Sequence, residues 1–182
     1  MVDIPLTMHH EHLNADSFSS FTCPDGFRVR SFVDGDDNAW VRIEAAAGAF
    51  SDEPAARRHF ATEFAPVSER LPGRMLFLEH EAAGPIGTTT AWEGEFGGEM
   101  RGRIHWVGIV PAFQGRGLSK PLLSAALTRL TQDYRRAYLT TETTSYRGIN
   151  LYLSFGFVPY ATNDLDREGW AIVEETLRQT IL

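Results

Sequence analysis

Two glycines one residue apart, Gly115 and Gly117, stand between a β-type run and a helical run. Glycine lets the backbone approach a ligand closely. The helix that follows carries Arg116 and Lys120 at its start and no acidic residue in its first turn. Cations there oppose the helix dipole by about 0.3–1 kcal/mol each. An anion held by the open N–H groups reverses that sign, and phosphate suits such a place. A plain strand–turn–helix connection with solvated basic residues is the competing reading. No glycine precedes a Gly-Lys-Ser/Thr at Walker spacing, and Lys120 replaces the third glycine of a dinucleotide fingerprint. Other reactive side chains carry less. Cys23 is the single cysteine and has no neighbouring base in sequence. His9, His10 and His12 lack a matching Cys/His set, so they read as a polar leader and no metal site is expected.

The elements that must position this turn belong to an ordinary globular chain. Its 182 residues are 43% hydrophobic and 23% charged, enough for one packed domain without a staple. With 17 basic and 24 acidic side chains the net charge is −7. That repels a phosphate backbone, so no nucleic-acid partner is expected, and a cationic small molecule or basic peptide is easier to attract. No apolar run approaches ~18 residues, so no membrane partner is expected. The N-terminus lacks the basic and apolar segments of a secretory signal. One cysteine fits a reducing, cytoplasmic compartment.

Residues 1–24 read as a flexible N-terminal extension ending at the turn Pro24-Asp25-Gly26, and residues 25–182 as a single domain. Alternation over 27–32 predicts a strand. Residues 34–37 open a helix that carries Trp40, Val41, Ile43 and Glu44 and runs to Gly48. A second helix starts at Pro54 and ends before Pro66. Residues 74–79 and 86–92 are strand-like, 93–102 is a loop rich in glycine and glutamate, and 104–110 reads as a central buried strand. A helix covers 117–130, a strand 137–141 and a short helix 147–155. Gly156 suits the left-handed position that closes the short helix, with Phe157 as its apolar contact. A strand starts at Val158. Trp170, Val173, Leu177 and Ile181 then repeat at a helical period. The order β-α-α-β-β-β-α-β-α-β-α predicts a mixed α/β domain around a central sheet.

Two blocks make the reading specific. Gln114-x-x-Gly117-x-Ser119 resembles the Gln/Arg-x-x-Gly-x-Gly/Ala signature of the GNAT N-acetyltransferase superfamily, with Ser119 a small departure. Leu151-Tyr152-Leu153-Ser154-Phe155-Gly156-Phe157 resembles that family's Leu-Tyr-x-x-x-Gly-Phe motif. The resemblance spans about residues 27–161, and the helical tail departs from the family's last strand. It implies a mostly antiparallel sheet flanked by helices, with two central strands splayed apart. Acetyl-CoA is the implied co-substrate, with no metal. Its pantetheine arm would pair with the main chain of Val107, Gly108 and Ile109. Its pyrophosphate would sit on the turn formed by Gln114, Gly115, Arg116, Gly117, Leu118, Ser119 and Lys120, and Asn150 would touch the cofactor.

The implied reaction is direct attack of an amine on the thioester. A lysine-like amine of pKa ~10.4 must lose a proton, which costs about 4.6 kcal/mol at pH 7. The departing thiolate, with a pKa of ~8.5, leaves more readily beside an acid. Tyr152 matches the family's acid position. His105 resembles a proton-relaying histidine of the arylalkylamine acetyltransferases, and Glu142, just past the next strand, is a second candidate base. The alternatives are a non-catalytic acyl-CoA sensor of the same fold, or transfer of a longer acyl group or to a hydroxyl. The Trp170 helix would either close the core or form a homodimer contact.

Overall fold

The computed structural model describes residues 2–18 and 20–182, so Met1 and Ser19 of the expected extension lie outside the described residues. Among the described residues seven strands form one sheet: β1 (Pro5–His10), β2 (Phe27–Ser31), β3 (Met75–His80), β4 (Gly84–Phe96), β5 (Glu99–Ile109), β6 (Ala137–Glu142) and β7 (Val158–Tyr160), in the order β2-β3-β4-β5-β6-β1-β7. Among the same described residues five α-helices flank it: α1 (Asp37–Ala47), α2 (Glu53–Glu63), α3 (Ser119–Leu130), α4 (Tyr146–Ser154) and α5 (Asp164–Leu177). All neighbouring strands run antiparallel except β5 and β6. This is the mixed α/β, mostly antiparallel architecture that the sequence predicts.

Local chemistry accounts for the helix ends. Gly48 closes α1 in the left-handed conformation, with φ 91°. Asp52 caps α2 by accepting from the Ala55 amide at 2.7 Å. Asn163 and Asp166 form a reciprocal capping box at the start of α5. After α4, Gly156 has φ 85° and the Phe157 amide returns to the Tyr152 carbonyl at 3.1 Å. Side chains alternate across β3: Met75 and Phe77 join α1 and α2 in one core, and Leu76 and Leu78 join α3 in the other.

Two expectations need correction. Residues 5–10 are no flexible extension: β1 lies inside the sheet, paired with β6 on one side and β7 on the other. Ile4, Leu6 and Met8 alternate into the core, which holds the segment in place. Residues 93–102 are no loop either. β4 and β5 continue as a hairpin, Glu95 opposite Met100 and Phe96 opposite Glu99. Gly97 and Gly98, with φ 63° and 79°, form the two-residue turn that requires positive φ at both positions. The tail packs inward: Trp170 and Val173 of α5 are buried in one cluster with Leu6 and Met8. The slot beside β6 is thus filled by the N-terminal strand, and the C-terminal segment stays helical.

The parallel ladder between β5 and β6 has two pairs, Gly102 with Ala137 and Arg103 with Tyr138, and then the strands part. As an integral strand β1 carries stability. Met8→Ala is expected to cost about 2–5 kcal/mol in denaturant unfolding; an unchanged midpoint contradicts the assigned packing.

Candidate active site

Where β5 parts from β6, a cleft of about 940 Å³ opens between the strands, α1 and α4. A bulge shapes its β5 wall. Thr88 pairs with Gly108 and Thr90 with His105, so Trp106 and Val107 together face Thr89. Trp106 takes φ 51°, a left-handed conformation rare for a bulky residue. Its ring stacks on Phe50 at 5.1 Å, and its Nε1–H donates to Glu63 at 2.8 Å, which holds the strained backbone.

The structure brings nine of the sequence-predicted site residues to this cleft. Val107, Gly108 and Ile109 line the β5 side, with His105 just before the bulge. Tyr152 of α4 and Glu142 at the end of β6 line the other side. Gln114, Gly115 and Ser119 close one end. Gly115 and Gly117 have φ 74° and 75°, so both glycines meet a conformational requirement. The Gln114 side chain donates to the Ile109 carbonyl at 2.7 Å and ties the turn to the strand. The first turn of α3 has no acidic residue and no side-chain cap; the Lys120 amide donates to the Gly117 carbonyl at 3.2 Å and Pro121 has no N–H, which leaves the Ser119 amide at the helix start without a capping side chain.

Five predicted residues do not line the cleft. The Leu118 side chain is buried in the core, and Gly117 is exposed. Arg116 lies over the Phe113 ring at 4.9 Å and donates to the Ala112 carbonyl at 3.0 Å. The Lys120 ammonium is 5.7 Å from the Phe21 ring centre. Asn150 is on the exposed face of α4. The hairpin glutamates also turn elsewhere: Glu93 pairs with Arg70 and accepts from the Tyr134 hydroxyl at 2.6 Å. Among the described residues no group of three or more His, Cys, Asp and Glu could hold a metal ion.

Two carboxyls beside the cleft went unnoticed as site residues in the sequence. Glu63, at the end of α2, accepts from His105 Nε2 at 2.6 Å, Trp106 Nε1 at 2.8 Å and His59 Nε2 at 2.6 Å. Burial alone raises its pKa, but these donors outweigh burial and hold it down to about 2. An ionised carboxylate only accepts, so His105 donates Nε2–H, and the neutral ring keeps Nδ1 bare. Burial lowers the His105 pKa, and the Glu63 hydrogen bond opposes this. Glu44, on the buried face of α1, reaches the opposite condition. Its Oε1 has no hydrogen-bond partner among the described residues, and burial pushes it up to about 8. It stands against Gly108: a Cβ there would meet Glu44 Oε1 at 2.8 Å. Tyr152 is pushed up first by burial and then by the Glu44 charge, so its phenol stays protonated.

Residues 38–157 match the model of the acetyltransferase (GNAT) family. The chain belongs to the GNAT acetyltransferase family. It is 33% identical over 149 residues to a mycothiol acetyltransferase of Amycolatopsis mediterranei, covering 76% of this chain and 48% of that protein. A mycothiol acetyltransferase of Acidothermus cellulolyticus is 29% identical over 162 residues, 81% of this chain and 50% of that one. The chain thus spans about half the length of the curated relatives it matches. Among solved structures, a GCN5-related N-acetyltransferase from Sphaerobacter thermophilus superposes with a TM-score of 0.67 at 22% identity, covering 87% of this chain and 49% of that one. A Pyrococcus horikoshii protein superposes at 0.64 and 18% identity, over 76% of this chain and 93% of its own. These two share the fold.

Because the folded-state pKa of Glu63 lies near 2, below its ordinary 4.5, the pairing stabilises the folded state above about pH 4.5. That contribution is lost as the pH falls toward about 2. Glu63→Gln removes it, so the melting-temperature gap between wild type and variant is expected to be wide at about pH 7 and to close in acid. A gap independent of pH counts against the three-donor arrangement.

Proposed function

We propose that this chain binds acetyl-CoA along the free edge of β5 and transfers the acetyl group to a primary amine of a small molecule or basic peptide. The observation that carries this reading is the two-pair ladder between β5 and β6. Beyond Arg103 the strand edge faces the cleft without a neighbouring strand, and an extended pantetheine arm can supply the missing partner. The main chain of Val107, Gly108 and Ile109 offers the pairing groups. The amides of residues 115–119 take the pyrophosphate, with the Arg116 or Lys120 side chain adding charge from outside the turn.

In the transfer, the amine lone pair attacks the thioester carbonyl carbon. The C–N bond forms as the C–S bond breaks, and the acylated nitrogen loses a proton to water. Tyr152 gives its proton to the departing thiolate and regains one from water. Glu142, exposed at the rim, helps draw in a cationic acceptor. The names of the curated relatives make a mycothiol-type acceptor the first to assay. A single unpaired cysteine, Cys23, fits work in a reducing cytoplasm.

Calorimetric titration with acetyl-CoA is expected to give micromolar affinity. Gly117→Glu combines a strained φ with a negative charge beside the phosphates, and is expected to weaken binding by at least about 100-fold. No binding by the wild type overturns the reading. Binding without thioester consumption across an amine panel makes the protein a sensor instead. Tyr152→Phe is expected to lower kcat at least about tenfold with the acetyl-CoA Kd within about twofold; unchanged turnover removes Tyr152 from the mechanism.

A further inference from the structure

Glu44 is a side chain of the cleft whose chemistry the assignments above leave unused. It projects from α1 among Trp40, Val41 and Ile43, and it is 1% exposed. An apolar residue would fill this place at less cost, because a buried carboxyl oxygen without a partner is expensive. Yet Glu44 lines the cleft, and its Oε1 has no hydrogen-bond partner among the described residues. Gly108, which keeps β5 bare of a side chain at the point of contact, is what makes room for it. Burial without compensation, at the wall of a cleft, is the pattern of a group kept for what it does there.

The surroundings define what it can bind. From β5 it meets Gly108, which has no side chain, and from α4 the Tyr152 phenol is coupled to it. The charged and titratable groups of neighbouring α2, His59 and Glu63, are engaged with each other, and His105 of β5 is engaged with Glu63. No arginine or lysine pairs with Glu44 among the described residues. The missing partner is a hydrogen-bond donor with positive charge, which is what a primary ammonium supplies.

We propose that Glu44 is the general base of the transfer: it receives the acceptor's ammonium in the cleft and takes the proton that the attacking nitrogen must lose. This rests on the acetyl-transfer reading and deepens it. The balance closes. The ammonium proton moves to Glu44 Oε1, the freed nitrogen lone pair forms the new bond to the carbonyl carbon, the C–S pair leaves on sulfur, and the acylated nitrogen gives its second proton to water. The thiolate takes the Tyr152 proton, water restores Tyr152, and Glu44 releases its proton to water. The products are the amide, free CoA thiol and one proton. Of the three candidate bases, His105 has Nε2 committed to Glu63 and a proton affinity lowered by burial, and Glu142 is exposed at the rim. Glu44, raised to about 8, is the carboxyl whose proton affinity comes nearest to that of an amine. The same geometry favours amine over hydroxyl acceptors, because an alcohol brings no charge to the buried carboxylate.

The test compares wild type, Glu44→Gln and His105→Gln with acetyl-CoA and four acceptors: spermidine, ethanolamine, a lysine-containing peptide and hydrazine. Hydrazine is far less basic than the other three, so much more of it is already neutral at neutral pH and it depends less on a base. Glu44→Gln is expected to keep the acetyl-CoA Kd within about twofold and lower kcat with the basic amines by about 100-fold. It also loses the rise of kcat/KM that the wild type shows through about pH 8. Hydrazine acetylation is expected to fall far less, and His105→Gln to keep the wild-type rise. Turnover of Glu44→Gln within about threefold of wild type, with the same pH profile, overturns the proposal. If the wild type consumes no thioester with any acceptor, the acetyl-transfer reading fails and takes this proposal with it. Folding has its own control. Between about pH 4.5 and about 8 the unfolded chain ionises Glu44 while the folded chain keeps it protonated, so the melting temperature of the wild type should fall relative to that of Glu44→Gln as the pH rises over that range.

Discussion

The parting of β5 from β6 is the constraint on which the rest of the molecule depends. A sheet normally pairs every interior backbone group, and leaving a strand edge bare inside a fold is costly. Here the cost is contained by the surroundings. The antiparallel ladder with β4 holds β5 from one side along its length, and the bulge at Trp106 turns the strand where the gap begins. The Gln114 side chain satisfies the Ile109 carbonyl at the far end. On the other bank β6 is secured by β1 rather than by β5. The gap is therefore part of a rigid frame.

Two carboxyls on neighbouring helices show how that frame sorts identical chemistry. Glu63 is given three donors and stays charged; Glu44 is given none and is driven toward the neutral form. The difference lies in which side chains α2 and β5 bring to each, since the two residues start from the same ordinary pKa of 4.5. One outcome fixes the His105 and Trp106 rings beside the bulge. The other leaves a carboxyl whose proton affinity sits within reach of an amine.

Much of this was legible in the chain. The strand–turn–helix with its paired glycines, the Leu-Tyr block and the order of elements all depend on local patterns, and local patterns identify local structure. β1 was missed because its strand character comes from pairing with residues 137–142 and 158–160. The alternation of Ile4, Leu6 and Met8 was present, but polar flanks and three histidines hid it. The hairpin around Gly97 and Gly98 was missed because glycine and glutamate are poor strand formers, and the ladder overrides their preference. Glu44 had a signal: an acidic residue on the stripe of Trp40, Val41 and Ile43 contradicts an ordinary core face. Its lack of a partner could emerge only from three dimensions, as could the convergence of His59, His105 and Trp106 on Glu63.

The place of β1 carries a consequence for how the molecule assembles. A strand at residues 5–10 bonded to residues 137–142 and 158–160 closes loops of well over a hundred residues. Such contacts come late, because chain entropy must be spent before they return anything. The half of the sheet containing β2 to β5 is built from neighbours in sequence and can form early. The bank that completes the cleft waits until nearly the whole chain has left the ribosome. An incomplete chain would have the outer strands, α1 and the turn, but no second wall against which to hold a ligand.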